Sequence, residues 1–251
     1  MQFRIIVKGT PLGTFLRGLP AFLREYGELR GQAVQADFPF GSFYPCLEDR
    51  RQESGTATGH YFHQDLLVAG RIFHNNPVRH VDIGSRIDGL VAHVASFRPV
   101  EVLDIRDLQS PGENILFRQA DLMDRDFAWV DYCDSVSCLH ALEHFGLGRY
   151  GDRIDYGGHL TGWENIARML KSGGKLYFSV PIGEQRIEFN AHRVFSVPYL
   201  LRMVEKHYRL DAFSYVDDGG DLVRNPTLTG AAVDNSFGCH YGCGIFELTK
   251  L

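Results

Sequence analysis

"HVDIGSRIDG", His80–Gly89, reads as a short buried strand that ends on a carboxylate, turns through a glycine and enters a helix. A strand, glycine turn and helix in this order is the opening unit of an open parallel sheet that takes a nucleotide-like ligand at its strand ends. Asp82 and Gly84 stand where such a turn needs them. The two further glycine positions hold Arg86 and Asp88 instead. Glycines there let the backbone approach a ligand closely, so their loss predicts a narrowed or reshaped pocket. Ser85 and Asp88 form a Ser-x-x-Asp pattern, which predicts that the helix still begins at this turn. Its free amides then suit an anion. Arg86, at that mouth, either pairs with a carboxylate or phosphate of the ligand or points to solvent.

Working outward, strands and helices alternate. Upstream, "HYFHQDLLVAGRIFHNN" predicts a helix with Phe62, Leu66, Ala69 and Phe73 on its apolar face, stopped by Asn75-Asn76-Pro77. Downstream, "RIDGLVAHVASF" is a helix and "VEVLDI" a second strand. "NILFRQADL" holds a third strand and "CDSVSCL" a fourth. "GWENIARMLKSGG" is a helix closed by glycine, and "KLYFSV" is a fifth strand. "SVPYLLRMVEKHY" is a helix with Ser196 as N-cap and Pro198 in its first turn. "RLDAFSYV" and "CGIFELT" close the chain; with no helix between them they must pair antiparallel at one edge. The alternation predicts a mostly parallel, doubly wound sheet over residues 59–251. Residues 1–58 read differently: a short strand in "FRIIV", a helix in "TFLRGLPAFLREYGELR" broken by Pro20, then an irregular aromatic and charged stretch. This piece is too small for a separate core and reads as an appendage.

The net charge of −5 argues against a general binder of nucleic acid or membrane surfaces. No apolar run approaches the roughly 20 residues that span a bilayer, and the N-terminus lacks a signal-peptide core. A cytoplasmic setting follows as the expectation. The five cysteines need no partner there. Cys239 and Cys243 flank His240 in "CHYGC", but a second ligand pair at the usual spacing is missing, so unpaired thiols rather than a metal site are expected.

The strand ends carry the chemistry. Asp104 lies twenty positions after Gly84 and suits ribose hydroxyls. Asp121, followed by Leu122 after the third strand, suits an adenine amino group. The fourth strand runs into "SCLHALEHFG". With these residues in place, the chain resembles the class I S-adenosylmethionine-dependent methyltransferases: "DSVSCLHALEHFG" is similar to that family's fourth strand and turn, and "IARMLKSGGKLYFSVP" to its helix, glycine turn and fifth strand. More narrowly, "HYFHQDL", "LHALEHFGLGRYGD" and "FNAHRVFS" resemble DUF268, a methyltransferase-like group, over most of residues 44–200.

The resemblance implies a Rossmann-like, doubly wound α/β fold with a seven-stranded, mostly parallel sheet and a C-terminal antiparallel hairpin. It implies S-adenosylmethionine as cofactor, held by Asp82, Gly84, Ser85, Arg86, Asp104, Asp121 and Leu122. His140 and His144, four apart with Glu143 between, would border the sulfonium, and one of them could take a proton from an acceptor. Tyr61, Gln64, Asn190, His192 and Arg193 are the expected acceptor side. The expected reaction is methyl transfer to an oxygen or nitrogen of a small polar acceptor, with carbohydrate or a polysaccharide precursor preferred. Two other readings stay open: a methyltransferase-like binding or scaffold protein without activity, and an enzyme acting on a nucleotide sugar.

Overall fold

The computed structural model describes residues 12–32, 38–47, 49–110 and 112–251. The chain divides into two compact units, residues 1–56 and 57–251. In the first, helix α1 (Leu12–Gln32) runs continuously with Pro20 inside it, so the expected break is absent. Proline removes one donor from the ladder, but Leu, Arg and Glu on both sides are good helix formers and carry the helix through. The Tyr26 ring packs edge-on against Phe43 at 4.8 Å and Phe40 at 5.4 Å, giving the irregular stretch after the helix a fixed anchor. The strand expected in "FRIIV" lies outside the described residues.

The second unit is built on an eight-stranded sheet. Its strands are β1 (His80–Ile83), β2 (Val100–Asp104), β3 (Ile115–Gln119), β4 (Cys133–Leu139) and β5 (Leu170–Ile182). A separate two-stranded hairpin, β6 (Arg186–Glu188) and β7 (His192–Val194), follows. The main sheet then continues with β8 (Tyr208–Val216), β9 (Leu222–Arg224) and β10 (Gly242–Lys250). The spatial order is β3-β2-β1-β4-β5-β10-β8-β9. The first five strands are parallel, and β10 runs antiparallel to both β5 and β8. The expected terminal hairpin is present as the β8–β10 pair. The expected count of seven is one short, because β9 folds back on β8 as an additional edge strand. It is only three residues long, too short to show a periodicity.

Side chains alternate between two cores, one on each face of the sheet. Val81, Val136, Phe178 and Phe246 pack on one face with Trp163, and Val102, Leu139, Tyr177 and Ile245 on the other with Val68 and Val94. Helix α2 (His60–Asn75) covers the second face and ends at Asn76, whose backbone is left-handed. The stripe it buries is Gln64, Leu67, Val68 and Ile72. Phe62, Leu66 and Phe73 are 42%, 57% and 60% exposed, so of the expected apolar face only Ala69 is buried. Two apolar stripes share this helix, and polar contacts choose between them. The Gln64 Oε1 accepts from the Ser179 hydroxyl at 2.6 Å, and Asn75 donates to the Tyr177 hydroxyl.

After β1 the chain makes a wide helical turn, Ile87–Val91, into the short helix α3 (Ala92–Ala95). No side chain caps it, contrary to the expected Ser85–Asp88 box. The Ser85 N–H donates to Asp82, its hydroxyl is buried without a partner, and Asp88 pairs with Arg86. Helix α4 (Gly158–Met169) ends before its glycines, and Leu170 already opens β5. Helix α5 (Val197–Glu205) begins after Ser196 with Pro198 in its first turn, as expected.

The glycine-rich segment between β4 and α4 is an ordered loop. One carboxylate, Asp152, accepts from the backbone N–H groups of Gly146, Gly148 and Tyr150 at 2.8–3.1 Å. Gly146 adopts φ +78°, and a Cβ there would stand 1.9 Å from the Asp155 carbonyl oxygen. Gly146→Ala is therefore expected to lower stability by about 2 kcal/mol or more. Denaturant titration checks this, and an unchanged midpoint would show that the loop can open without cost to the domain.

Candidate functional site

The strand order reverses beside β1, which has β2 on one flank and β4 on the other. Loops leaving a sheet at such a point diverge and leave a crevice beyond the strand ends. Here the crevice holds two joined clefts. The first, about 520 Å³, is largely apolar, with Ile83, Leu103, Leu122 and Met123 in its wall and Asp104 and Asp121 at its rim. The second, about 1300 Å³, is polar and is lined by Tyr61, Arg149, Asn190, His192 and Tyr241 among others. Gly84, His140, His144, Arg106 and Tyr150 border both.

Gly84 sits at φ +65°, a backbone conformation open to glycine at little cost. A Cβ there would come within 3.0 Å of the Ala141 Cβ, so the β1 turn and the loop after β4 approach as closely as a glycine permits. The replaced glycines do not close the cleft. Arg86 and Asp88 form a two-pronged ion pair at 2.8–3.0 Å, with side chains 58% and 73% exposed. Arg86 also lies over the Tyr61 ring, at the mouth of the polar cleft. The glycine lost from position 88 has in effect moved one residue on: Gly89 takes a non-helical backbone conformation, and a Cβ there would strike the Asp65 carboxylate at 2.5 Å.

Asp104 is held by its own neighbour. Arg106 donates Nε at 3.0 Å, Nη2 at 2.6 Å and its backbone N–H at 2.8 Å to that carboxylate, while its guanidinium lies 4.3 Å from the centre of the Tyr150 ring. Asp121 Oδ1 accepts from the Met123 N–H at 2.8 Å. An adenosine fits this set of donors and acceptors. Flat apolar walls suit a base, and carboxylates at the ends of β2 and β3 suit hydroxyl and amino hydrogens. A ligand hydroxyl at Asp104 must displace Arg106 or share the carboxylate with it.

Glu143, fully buried, organises the histidines. Its Oε1 lies 2.7 Å from His140 Nδ1 and 3.7 Å from His144 Nε2. The two imidazoles flank a single tight turn, Leu142–His144, with His140 before it at φ +50°. Both line the same two clefts. Burial opposes charge on His140, but the Cys243 thiol and the Glu143 carboxylate beside it outweigh that and hold its pKa well above the ordinary histidine value. Burial pushes Glu143 up, yet His140 holds it below the usual carboxylate range. His144 goes the other way: burial lowers its pKa more than Glu143 raises it. Its Nδ1 lies 2.6 Å from the Ala191 carbonyl, which can only accept, so Nδ1 carries the hydrogen and Nε2 keeps a lone pair.

Among the expected acceptor residues, Tyr61, Asn190 and His192 line the polar cleft. Gln64 and Arg193 do not. Gln64 is bonded into the α2–sheet contact, and the Arg193 guanidinium donates to the carbonyls of Phe145 at 2.6 Å and Tyr156 at 3.0 Å, bracing the loop after β4 from within. Ser85 and Asp82 do not line the apolar cleft, and Ser85 borders a neighbouring groove with Asp104 and Arg106. Arg106, Arg149, Tyr150 and Tyr241 were not singled out in the sequence. Only Arg106, two residues after a strand-end Asp, carried a local signal.

The DUF268 family profile, described as "Caenorhabditis protein of unknown function", matches residues 103–226, beginning later and ending further on than the sequence resemblance. The DUF268 resemblance holds. The [4+2]-cyclase SpnF is 14% identical, with a TM-score of 0.53 over 75% of this chain and 80% of that one. A Burkholderia thailandensis 1,6-didemethyltoxoflavin-N1-methyltransferase, crystallised with 1,6-didemethyltoxoflavin and S-adenosylhomocysteine, is 15% identical, with a TM-score of 0.51 over 97% and 93%. The N-methyltransferase NodS of Bradyrhizobium japonicum WM9 is 12% identical, with a TM-score of 0.50 over 78% and 99%. A search of curated proteins gave no match. The shared feature is the class I methyltransferase fold. A cyclase and two methyltransferases carry it, so the fold does not select the reaction.

Asp82 gives a measurable signature of how the site is built. Its carboxylate is fully buried and accepts from the Ser137 hydroxyl at 2.5 Å and the Ser85 N–H at 3.1 Å. Burial outweighs those bonds and pushes its pKa up to about 6. A folded-state pKa above the unfolded one means the associated stability is full below pH ~4 and is lost as pH rises through ~6. The loss is on the order of 3 kcal/mol. Asp82→Asn has no such titration. Relative to the unmodified protein, its unfolding free energy is expected to improve by up to that amount between pH 4 and pH 7. A pH-independent difference in denaturant titrations would contradict the assignment.

Proposed function

We propose that the protein transfers a methyl group from S-adenosylmethionine to an oxygen or nitrogen of a small polar acceptor, with a carbohydrate or polysaccharide precursor as the favoured class. The observation that carries this is the pair of clefts meeting at Gly84, His140 and His144, one apolar with carboxylates at its rim and one polar. In this reading Leu103, Leu122 and Met123 enclose the adenine, Asp121 accepts from its amino group, and Asp104 accepts from the ribose. Gly84 lets the backbone pass close to the ligand, and Arg86 faces the methionyl carboxylate at the mouth. Bound there, the cofactor supplies an electrophilic methyl group on sulfur. The protein's part is to align the acceptor with that methyl, which is where most of the rate arises. Arg149, Asn190 and His192 offer hydrogen bonds and charge to a hydroxylated or phosphorylated acceptor. The His144 Nε2 lone pair takes the acceptor proton. The replaced glycines would favour a binding protein without activity only if their side chains filled the apolar cleft; Arg86 and Asp88 instead pair with each other, and neither lines that cleft.

Calorimetry with S-adenosylhomocysteine tests the first half. Asp104→Ala is expected to weaken binding about 10- to 100-fold with an unchanged melting temperature, the loss of one or two hydrogen bonds to a charged group. Arg106→Ala, which frees the carboxylate, should bind as well or better. Equal affinity for wild type and Asp104→Ala would sink this placement, and binding of nucleotide sugars alone would favour the enzyme acting on those.

The second half is read by S-adenosylhomocysteine release across a panel of sugars and sugar phosphates. His144→Gln should keep its melting temperature and cofactor affinity and lose on the order of 10²-fold in rate at most. Because burial lowers the His144 pKa, the wild-type rate should fall only below the ordinary histidine range as the imidazole becomes protonated. The variant should lack that acid limb. An identical pH profile in both proteins would remove His144 as the base.

A further inference from the structure

We propose that His60, His140 and Cys243 form a binding site for a zinc-type divalent cation beside the polar cleft. One potential ligand atom from each lies within 4.8 Å of the other two. The three come from distant parts of the chain: His60 opens α2, His140 follows β4, and Cys243 is the second residue of β10. Local sequence does not force them together.

The His140 imidazole is already oriented by its other edge. The His140 Nδ1 is held by Glu143 at 2.7 Å, so its Nε2 is the free nitrogen; it is buried with no hydrogen-bond partner, and the Cys243 thiol is the group beside it. The His60 ring is hydrogen-bonded by the backbone of Tyr241 and stacks on His140 at 5.3 Å with 4° between planes. A carboxylate or carbonyl behind each ligating histidine is how metal sites fix ring orientation and tautomer.

The donor set is two imidazole nitrogens and one thiolate. It selects zinc and related borderline ions over magnesium or calcium, which take oxygen ligands. Tetrahedral zinc bonds of about 2.0–2.3 Å place ligand atoms about 3.5 Å apart, so the three side chains need to draw in by up to roughly 1 Å, and the half-buried His60 ring must turn out of parallel with His140 to share one ion. Water from the polar cleft would complete the fourth position. The Cys243 thiol and the His140 imidazolium each give up a proton to solvent on binding, the Glu143 carboxylate keeping the Nδ1 hydrogen of His140, so affinity falls in acid. Cys243 is fully buried, which leaves no room for a substrate carbon at the sulfur and disfavours a nucleophilic role, whereas a bare cation can pass the half-buried His60. Cys239, the other cysteine of "CHYGC", is not in the cluster.

The full-length protein, treated with chelator and then titrated with Co²⁺, reads the site directly and independently of methyl transfer. The expected result is one equivalent bound, with a thiolate-to-cobalt charge-transfer band in the near ultraviolet that Zn²⁺ abolishes by displacement. Cys243→Ser should lose the band. His60→Gln should weaken binding more than 10-fold, and Cys239→Ser should behave as wild type. Circular dichroism and S-adenosylhomocysteine binding report folding of each variant separately. If Cys243→Ser does not fold, His60→Gln and the wild-type titration still decide. No band in the wild type, a band retained by folded Cys243→Ser, or a band lost only in Cys239→Ser would each overturn the proposal.

Discussion

The buried carboxylate of Asp82 is the constraint on which the site depends. It receives the Ser85 N–H and the Ser137 hydroxyl, so one group ties the turn after β1 to the adjacent strand β4. That tie brings Gly84 against Ala141, at the point where the strand order reverses. Burying a carboxylate with incomplete compensation is costly, and a chain selected for stability alone would not place one there. Asp82 does not itself reach the apolar cleft. It shapes the two loops whose separation makes the cleft.

Glu143 plays the corresponding part after β4. Fully buried, it divides two histidines that look alike in sequence into two chemical kinds. His140 is drawn into a charged pair, and His144 is left neutral with one nitrogen fixed by a backbone carbonyl. Arg193 braces the same loop by donating to its carbonyls, and Asp152 gathers the N–H groups of the glycine-rich segment. The loop after β4 is therefore held by charged groups facing backbone. It stays in place without a helix, which is why irregular chain can line a site of defined shape.

Solved structures that share this fold carry names of different reactions, so the functional argument rests on what stands at the strand ends. A shared fold accounts for the crevice. The acidic rim, the apolar wall and the neutral histidine belong to this chain's own residues, and it is on them that the proposed adenosine recognition beside a polar acceptor cleft rests. Arg106 adds a further feature: the Asp104 carboxylate at the apolar cleft is already satisfied by a neighbouring guanidinium. A ligand group bound at that carboxylate would exchange places with Arg106.

The sequence by itself determined the alternation of strands and helices from Val78 onward, the antiparallel close, and the strand-end residues Gly84, Asp104, Asp121 and Leu122 that line one cleft. These were legible because strand period, turn residues and strand-end position are local properties. The sequence did not determine which stripe of α2 faces the sheet, since Phe62, Leu66 and Phe73 fit helical spacing as well as Leu67, Val68 and Ile72 do. It did not show that Arg86 and Asp88 would satisfy each other at the cleft mouth, that Gln64 and Arg193 would be spent on internal hydrogen bonds, or that His60 would meet Cys243. Each of these depends on a partner supplied by the packed chain. Which polar group a side chain meets is decided only when burial removes water as the alternative partner, and that happens in the tertiary structure.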